Sequence, residues 1–308
     1  MSLEPCPPAW VQHLLREAKA ERIDLPDLGC EVEWLEGDGV ALLAFRVPDA
    51  RKLDEKGFGA IVESCYSTCH QLLLSRGRRP LRFWNYLPAI GERFDNGLSR
   101  YETFNSGRMA VRSEESERAI YATRRVCATG IDVRRSDFAL HVLAADHPAT
   151  PVDNPRQLSP HRYSRRYGPV PPAFARAARL PAALLSLPGV PDAMVSGTAS
   201  IVGEATRHPA DLEAQLTETT LNLASVVESL RGRKPRWAAG TALSAEATDA
   251  LAHYRSVRLY VRRCEDETRV RDWAGSHFPR VDAAELVGAD LCRPDLLVEI
   301  EGTVSLRS

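Results

Sequence analysis

VSGTASIVGEATRHPADLEAQLTETTLNLASVVESLR, residues 195–231, reads as a strand of small and β-branched residues, a polar turn and a long helix. Leu212, Leu216, Thr219, Leu223, Val226 and Leu230 recur every three to four residues, which predicts one apolar helix face over 209–231. Downstream, SVRLYVRR (256–263) predicts a strand, 265–275 a helix, 280–287 further strands and LLVEIEG (296–302) a terminal strand. The same order precedes it. CEVEWLE (30–36) and VALLAFRV (40–47) flank a Gly-Asp-Gly turn, as in a hairpin. Phe58, Ile61, Val62, Cys65, Cys69 and Leu72 then mark a buried helix between Leu53 and Leu74. RFWNYLPAI (82–90) predicts a strand, 98–112 a helix, and 118–127 and 136–144 two more strands. Between the runs lies a proline-rich connector, HPATPVDNPRQLSP (147–160). A repeated strand–helix–strand–helix–strand order predicts an internally duplicated α+β chain, with domains at 1–150 and 151–308. Each would be a mixed sheet with helices on one face, and two such sheets packed together leave a cleft for ligands.

Composition narrows the function classes. The 308 residues carry a formal charge of −1, so no global field recruits nucleic acid or an anionic membrane. No stretch reaches the roughly 20 apolar residues that span a bilayer. MSLEPCPPAWVQHLL has no basic start followed by an apolar run, which predicts no signal peptide and a cytoplasmic chain. The seven scattered cysteines then read as reduced thiols, and Cys65-x-x-x-Cys69 has no second ligand pair for zinc. No two-histidine, one-carboxylate iron site is evident among the eight histidines. No metal and no cofactor are expected.

Four segments could carry chemistry. In YETFNSGR (101–108), Tyr101, Asn105 and Arg108 fall at i, i+4 and i+7 and share a helix face. That face suits a carboxylate, and equally a solvated surface with a snorkelling arginine. NPRQLSPHRYSRRYGPVPP (154–172) interleaves Arg156, Arg162, Arg165 and Arg166 with Tyr163 and Tyr167. It could hold a polyanionic small molecule, grip RNA, or form an ordered crossover. SGTASIVGEATRHP (196–209) lets a ligand approach the backbone near Gly197, yet lacks a nucleotide-phosphate fingerprint. In the last strand, Leu297, Glu299 and Glu301 alternate with Leu296, Val298 and Ile300, which fit a core face. Glu299 therefore faces solvent or an enclosed cleft. If enclosed, desolvation raises its pKa toward that of a general acid.

RFWNYLPAI, RYETFNSGR, NPRQ-x-S-x-x-x-Y-x-x-x-YGP, SGTASIVG and DLCRPDLLVEIEG stand in the order found in chorismatases, and the chain resembles that family from about residue 80 to 302. The resemblance implies two tandem YjgF/RidA-like domains and a cofactor-free enzyme that releases pyruvate from chorismate. It casts Glu299 as the catalytic acid and Cys292 as the residue of the branch forming 3-hydroxybenzoate, with 4-hydroxybenzoate as a further product. It places Tyr101, Arg108, Arg156, Tyr163, Tyr167, Gly197 and the small Ala205 near substrate. A C-terminal arginine completes the set, Arg271 or else Arg262. Glu204 departs from the pattern, which has His there. Two other activities stay open, hydrolysis of chorismate to a dihydroxycyclohexadiene carboxylate and imine deamination of the YjgF/RidA type. The oligomeric state is open, and a monomer is compatible with the sequence.

Overall fold

The computed structural model describes residues 5–25, 28–110, 126–235, 237–238, 240–281 and 284–307. A short helix α1 (Ala9–Leu14) leads into β1 (Lys19–Ile23), β2 (Glu31–Glu36) and β3 (Val40–Val47). Helix α2 (Glu55–Ser75) follows, started by the Asp54 carboxylate accepting from Gly57 N–H. It buries Phe58, Val62, Cys65, Tyr66, Cys69 and Leu73. The stripe is turned slightly from the expected one, with Tyr66 and Leu73 replacing Ile61 and Leu72. Next come β4 (Arg79–Tyr86), α3 (Arg100–Met109), β5 (Cys127–Asp132) and β6 (Phe138–Ala145). Ser99 and Glu102 form a capping box that fixes where α3 begins. Most of the strand expected over 118–127 lies outside the described residues.

After the connector come β7 (Thr150–Val152), β8 (Ala177–Arg179), β9 (Ala193–Ala199) and the small ribbon β10 (Ile201–Val202) and β11 (Ala205–Thr206). Helices α4 (Leu212–Leu230) and α5 (Ala245–Leu251) precede β12 (Tyr254–Val261), α6 (Glu267–His277), β13 (Glu285–Gly288), β14 (Asp290–Leu291) and β15 (Val298–Val304). The first sheet runs β1-β2-β3-β6-β4-β5-β14 and the second β7-β8-β9-β15-β12-β13. Leaving β14 aside, the two orders match strand for strand. Each sheet has one parallel pair, β4 with β5 and β12 with β13, and is otherwise antiparallel. The duplication is thus present in the topology. β14 departs from it, because it leaves the C-terminal run to pair with β5 through Asp290–Asp132 and Leu291–Ile131.

Three apolar layers hold the fold. One packs α2 and α3 on the first sheet, another packs α4, α5 and α6 on the second, and the third lies between the sheets. Alternation along β6 shows the division. Phe138, Leu140, Val142 and Ala144 face the helices, while Ala139, Leu143 and Ala145 face the other sheet. On β15 the face toward the other sheet carries charge instead, with Glu299 and Glu301 buried there. Leu297 breaks the expected alternation. The strand starts at Val298, so Leu297 packs with the helices and Leu296 between the sheets.

Candidate active site

A cavity of about 680 Å³ opens where α3, β5, β9, β15, the β10–β11 ribbon, the residues after β14 and the crossover segment 154–172 converge. Its volume suits a small organic ligand. Nine arginines and six carboxylates stand among the described residues of its wall, a balance favouring an anionic guest.

Glu299 is 6% exposed and lies beside Gly197 of β9. A Cβ at position 197 would meet Glu299 Oε1 at 1.9 Å, so only glycine leaves room for this carboxyl. Burial, then the charge of Glu301, raises the Glu299 pKa to about 8 against the pull of Arg176, Arg82 and Arg293. The group therefore holds a proton at neutral pH. Glu301, two residues on, does the opposite. It accepts from Arg82 Nη2 at 2.8 Å, Trp84 Nε1 at 2.8 Å and Thr129 Oγ1 at 2.5 Å. Burial alone would raise it, but the charges of Arg82 and Arg258 and these hydrogen bonds hold it below the usual carboxylate range. Two carboxyls on one strand face thus carry opposite protonation states.

The crossover tyrosines act on arginines. Tyr163 accepts from Arg176 Nη2 at 2.7 Å, and Arg176 is 2% exposed at the cavity wall. Arg293 lies 3.9 Å over the Tyr167 ring and 5.4 Å from that of Tyr163, and donates to the Glu204 carbonyl at 2.7 Å. The Glu204 carboxylate accepts from the backbone N–H and hydroxyl of Ser164, tying the crossover to the ribbon. Here the residue departing from the expected histidine has its own local hydrogen bonding. Arg108 reaches the cavity from α3, anchored on the Ala173 carbonyl with its Nε unpartnered. Tyr101 lines the same wall, its phenol kept neutral by burial. Cys292, half-buried at the wall, is pushed up to about 12 by burial and by Glu299, so it presents a thiol rather than a thiolate.

Residues 28–144 match a family model described as chorismatase FkbO/Hyg5-like, N-terminal. A 3-hydroxybenzoate synthase from Streptomyces hygroscopicus is 34% identical over 268 residues, which cover 85% of this chain and 72% of that protein. This chain belongs to the chorismatase family. A chorismatase from Streptomyces rapamycinicus is 33% identical over 277 residues, covering 87% of this chain and 78% of the relative. A chorismatase crystal structure superposes with a TM-score of 0.74 at 29% identity, covering 92% of this chain and 79% of that one.

Of the residues singled out in this chorismatase-family sequence, Glu299, Cys292, Tyr101, Arg108, Tyr163, Tyr167, Gly197 and Ala205 line the cavity together. Arg156 and Arg271 do not. Arg156 is committed elsewhere, with Nε on Asn222 Oδ1 at 2.9 Å, Nη1 on the carbonyls of Trp237 and Ala238, and Nη2 on Glu218. Four of its five N–H donors are thus used inside the protein. Arg271 is exposed on α6, whose buried positions are Val270 and Ala274. Arg262 is the one at the wall, donating to the carbonyls of Leu291, Arg293 and Pro294. It thereby shapes the segment carrying Cys292 and Arg293. Arg176, Arg293 and Thr129 escaped the sequence reading. Arg176 had a signal, a lone charge in the small, apolar run AFARAA (173–178). The other two are brought to the cavity by pairing between distant strands.

Proposed function

We propose that this chain converts chorismate to 3-hydroxybenzoate and pyruvate, with Glu299 as the acid. The carrying observation is a proton-bearing carboxyl buried at the wall of an arginine-lined cavity in a chorismatase-family chain. Chorismate has two carboxylates, a vinyl ether and a neighbouring ring hydroxyl. Arg108, Arg176 and Arg293 supply cationic clamps for the carboxylates. Tyr163, accepting from Arg176, keeps its own hydroxyl proton for a ligand oxygen.

Glu299 donates its proton to the terminal methylene of the enolpyruvyl group, and the side chain becomes oxocarbenium-like. The ring C–O bond then breaks with its electrons passing to the side chain, which leaves as pyruvate. The adjacent ring hydroxyl closes on the vacated carbon and gives up its proton. Opening of that arene-oxide-like species, with loss of a ring C–H proton, yields the aromatic product. Substrate and products balance without water. The similarity to the 3-hydroxybenzoate synthase supports this internal route, and the neutral Cys292 thiol beside Glu299 supports a pocket that orders the ring rather than a nucleophile.

The test is incubation with chorismate, coupling pyruvate to lactate dehydrogenase and separating ring products by liquid chromatography. Stoichiometric pyruvate and 3-hydroxybenzoate are expected, with at least about a thousandfold loss in Glu299→Gln. A dihydroxycyclohexadiene carboxylate as main product would replace the internal route with hydrolysis. Undiminished pyruvate release by Glu299→Gln would remove Glu299 as the acid.

A further inference from the structure

The charged residues beneath Glu299 form a closed network, and its hydrogen bonds have a direction. Thr129 Oγ1 accepts from Arg82 Nη2 at 2.8 Å and from Gly197 N–H at 3.2 Å. With its lone pairs so used, the single hydroxyl proton of Thr129 is left for Glu301 Oε2. Arg82 and the Trp84 indole are donors to Glu301 as well. Every partner of this carboxylate is therefore a donor, which is the environment of an ionised, acceptor-only group. Glu301 is 3% exposed, so little solvent screens its charge. It points to the same face of β15 as Glu299, about 7 Å along the strand.

The same network reaches Glu299 by a second path. Thr129 holds the backbone N–H of Gly197, the residue whose missing Cβ makes the space occupied by the Glu299 carboxyl. We propose that Glu301, anchored by Arg82, Trp84 and Thr129, is the positioning residue that sets a fixed negative charge on the strand face beside Glu299 and fixes the wall against which the Glu299 carboxyl rests. The proposal rests on the reading of Glu299 as the acid.

The other charges facing the pair are consistent with this role. Arg176 and Arg293 face Glu299 from the cavity and favour its ionised form, while Cys292 and Tyr101 beside it are neutral. Arg258 of β12 faces Glu301 and favours its charge, and Tyr260 and Tyr86 there are neutral phenols. Without Glu301, burial would still hold the Glu299 pKa above the ordinary carboxylate range, but the surrounding cations would draw it down from about 8.

The experiment compares wild type with Glu301→Gln, which keeps shape and removes charge. The descending limb of kcat/KM for pyruvate release is followed from pH 5 to 10, alongside a carbon-13 titration of the Glu299 carboxyl in ligand-free protein. Both should move down by about one pH unit, so that Glu301→Gln loses about fivefold more activity at pH 8 than at pH 6. Should Glu301→Gln leave Arg82 unpaired and fail to fold, Arg82→Gln/Glu301→Gln removes both charges. Its shift should have the same sign and be smaller, because the charge of Glu301 outweighs that of Arg82 at Glu299. Activity lowered equally at every pH, with an unmoved carboxyl titration, would overturn the proposal. Wild type that released no pyruvate would overturn the acid assignment instead, and the carboxyl titration would still report whether the two glutamates are coupled.

Discussion

Glu299 and Glu301 are separated by one residue, yet one keeps its proton to about pH 8 and the other gives it up early. An acid must be protonated to act, so kcat/KM should be level through neutral pH and fall tenfold per unit above about 8. Substrate carboxylates stay ionised throughout, which leaves the enzyme group as the source of the limb. The same shift has a stability cost. Folded Glu299 holds its proton up to about 8, whereas the unfolded chain releases it near 4.5. The stability that this proton contributes is therefore fully present below 4.5 and is lost as pH rises toward 8. Glu299→Gln has no proton to hold, so it should be inactive yet more stable than wild type by on the order of 2–4 kcal/mol at pH 8. In thermal melts the gap should open between pH 4.5 and 8, and its absence would mean that Glu299 ionises freely. Gly197→Ala probes the same contact from the other side. Its methyl occupies the place of Oε1, so kcat should fall about a hundredfold through misplacement of the acid, with KM changed less. Cys292→Ala should alter the ratio of ring products more than total pyruvate, since the thiol is neutral and lines the wall.

At the scale of elements, α4 shows how far periodicity reads and where it stops. Leu212, Leu216, Thr219, Leu223, Val226 and Leu230 are all buried, as their spacing predicts, but so is the whole run from Glu218 to Val227. The second covering comes from the crossover, where Asn154 bonds the Asn222 carbonyl and Ser225, and Arg156 bonds Asn222 and Glu218. No local pattern announces this, because the partners lie more than 60 residues away. Arg156 was expected near substrate, and nothing local marked it as an arginine turned away from the cavity onto Asn222 and Glu218. Arg156→Met should accordingly destabilise the protein by about 3–5 kcal/mol in denaturant melts, through the charge left buried on Glu218. A substrate-binding Arg156 would instead raise KM at unchanged stability. The succession of strands and helices along the chain was legible from alternation and turn residues, but not the order of strands within each sheet. The transfer of β14 to the first sheet was not, since two residues carry no period.

The whole molecule is a duplicated frame used asymmetrically. Both halves repeat one strand order, but β14 crosses from the second half to extend the first sheet, and α1 sends Val11 and Leu15 into the layer between the sheets. The cavity draws Tyr101, Arg108 and Thr129 from the first half and Gly197, Arg176, Cys292 and Glu299 from the second. Arg82 and Trp84 of the first sheet hold Glu301 of the second, so even the electrostatics around Glu299 span both halves. Neither half can then be a catalyst alone. The chain crosses between them at His147 and Pro148, which are exposed. Cutting there and producing 1–147 and 148–308 separately should yield fragments that expose the layer built from Leu42, Trp84 and Leu143 on one side and Met194, Tyr260 and Leu296 on the other. Each fragment alone should bind a hydrophobic dye and release no pyruvate. Refolded together they should regain turnover that rises with the concentration of the second fragment, as expected of an intramolecular contact made bimolecular. Turnover by 148–308 alone, which carries Glu299, would mean that the first sheet is not needed to build the site or to hold the proton.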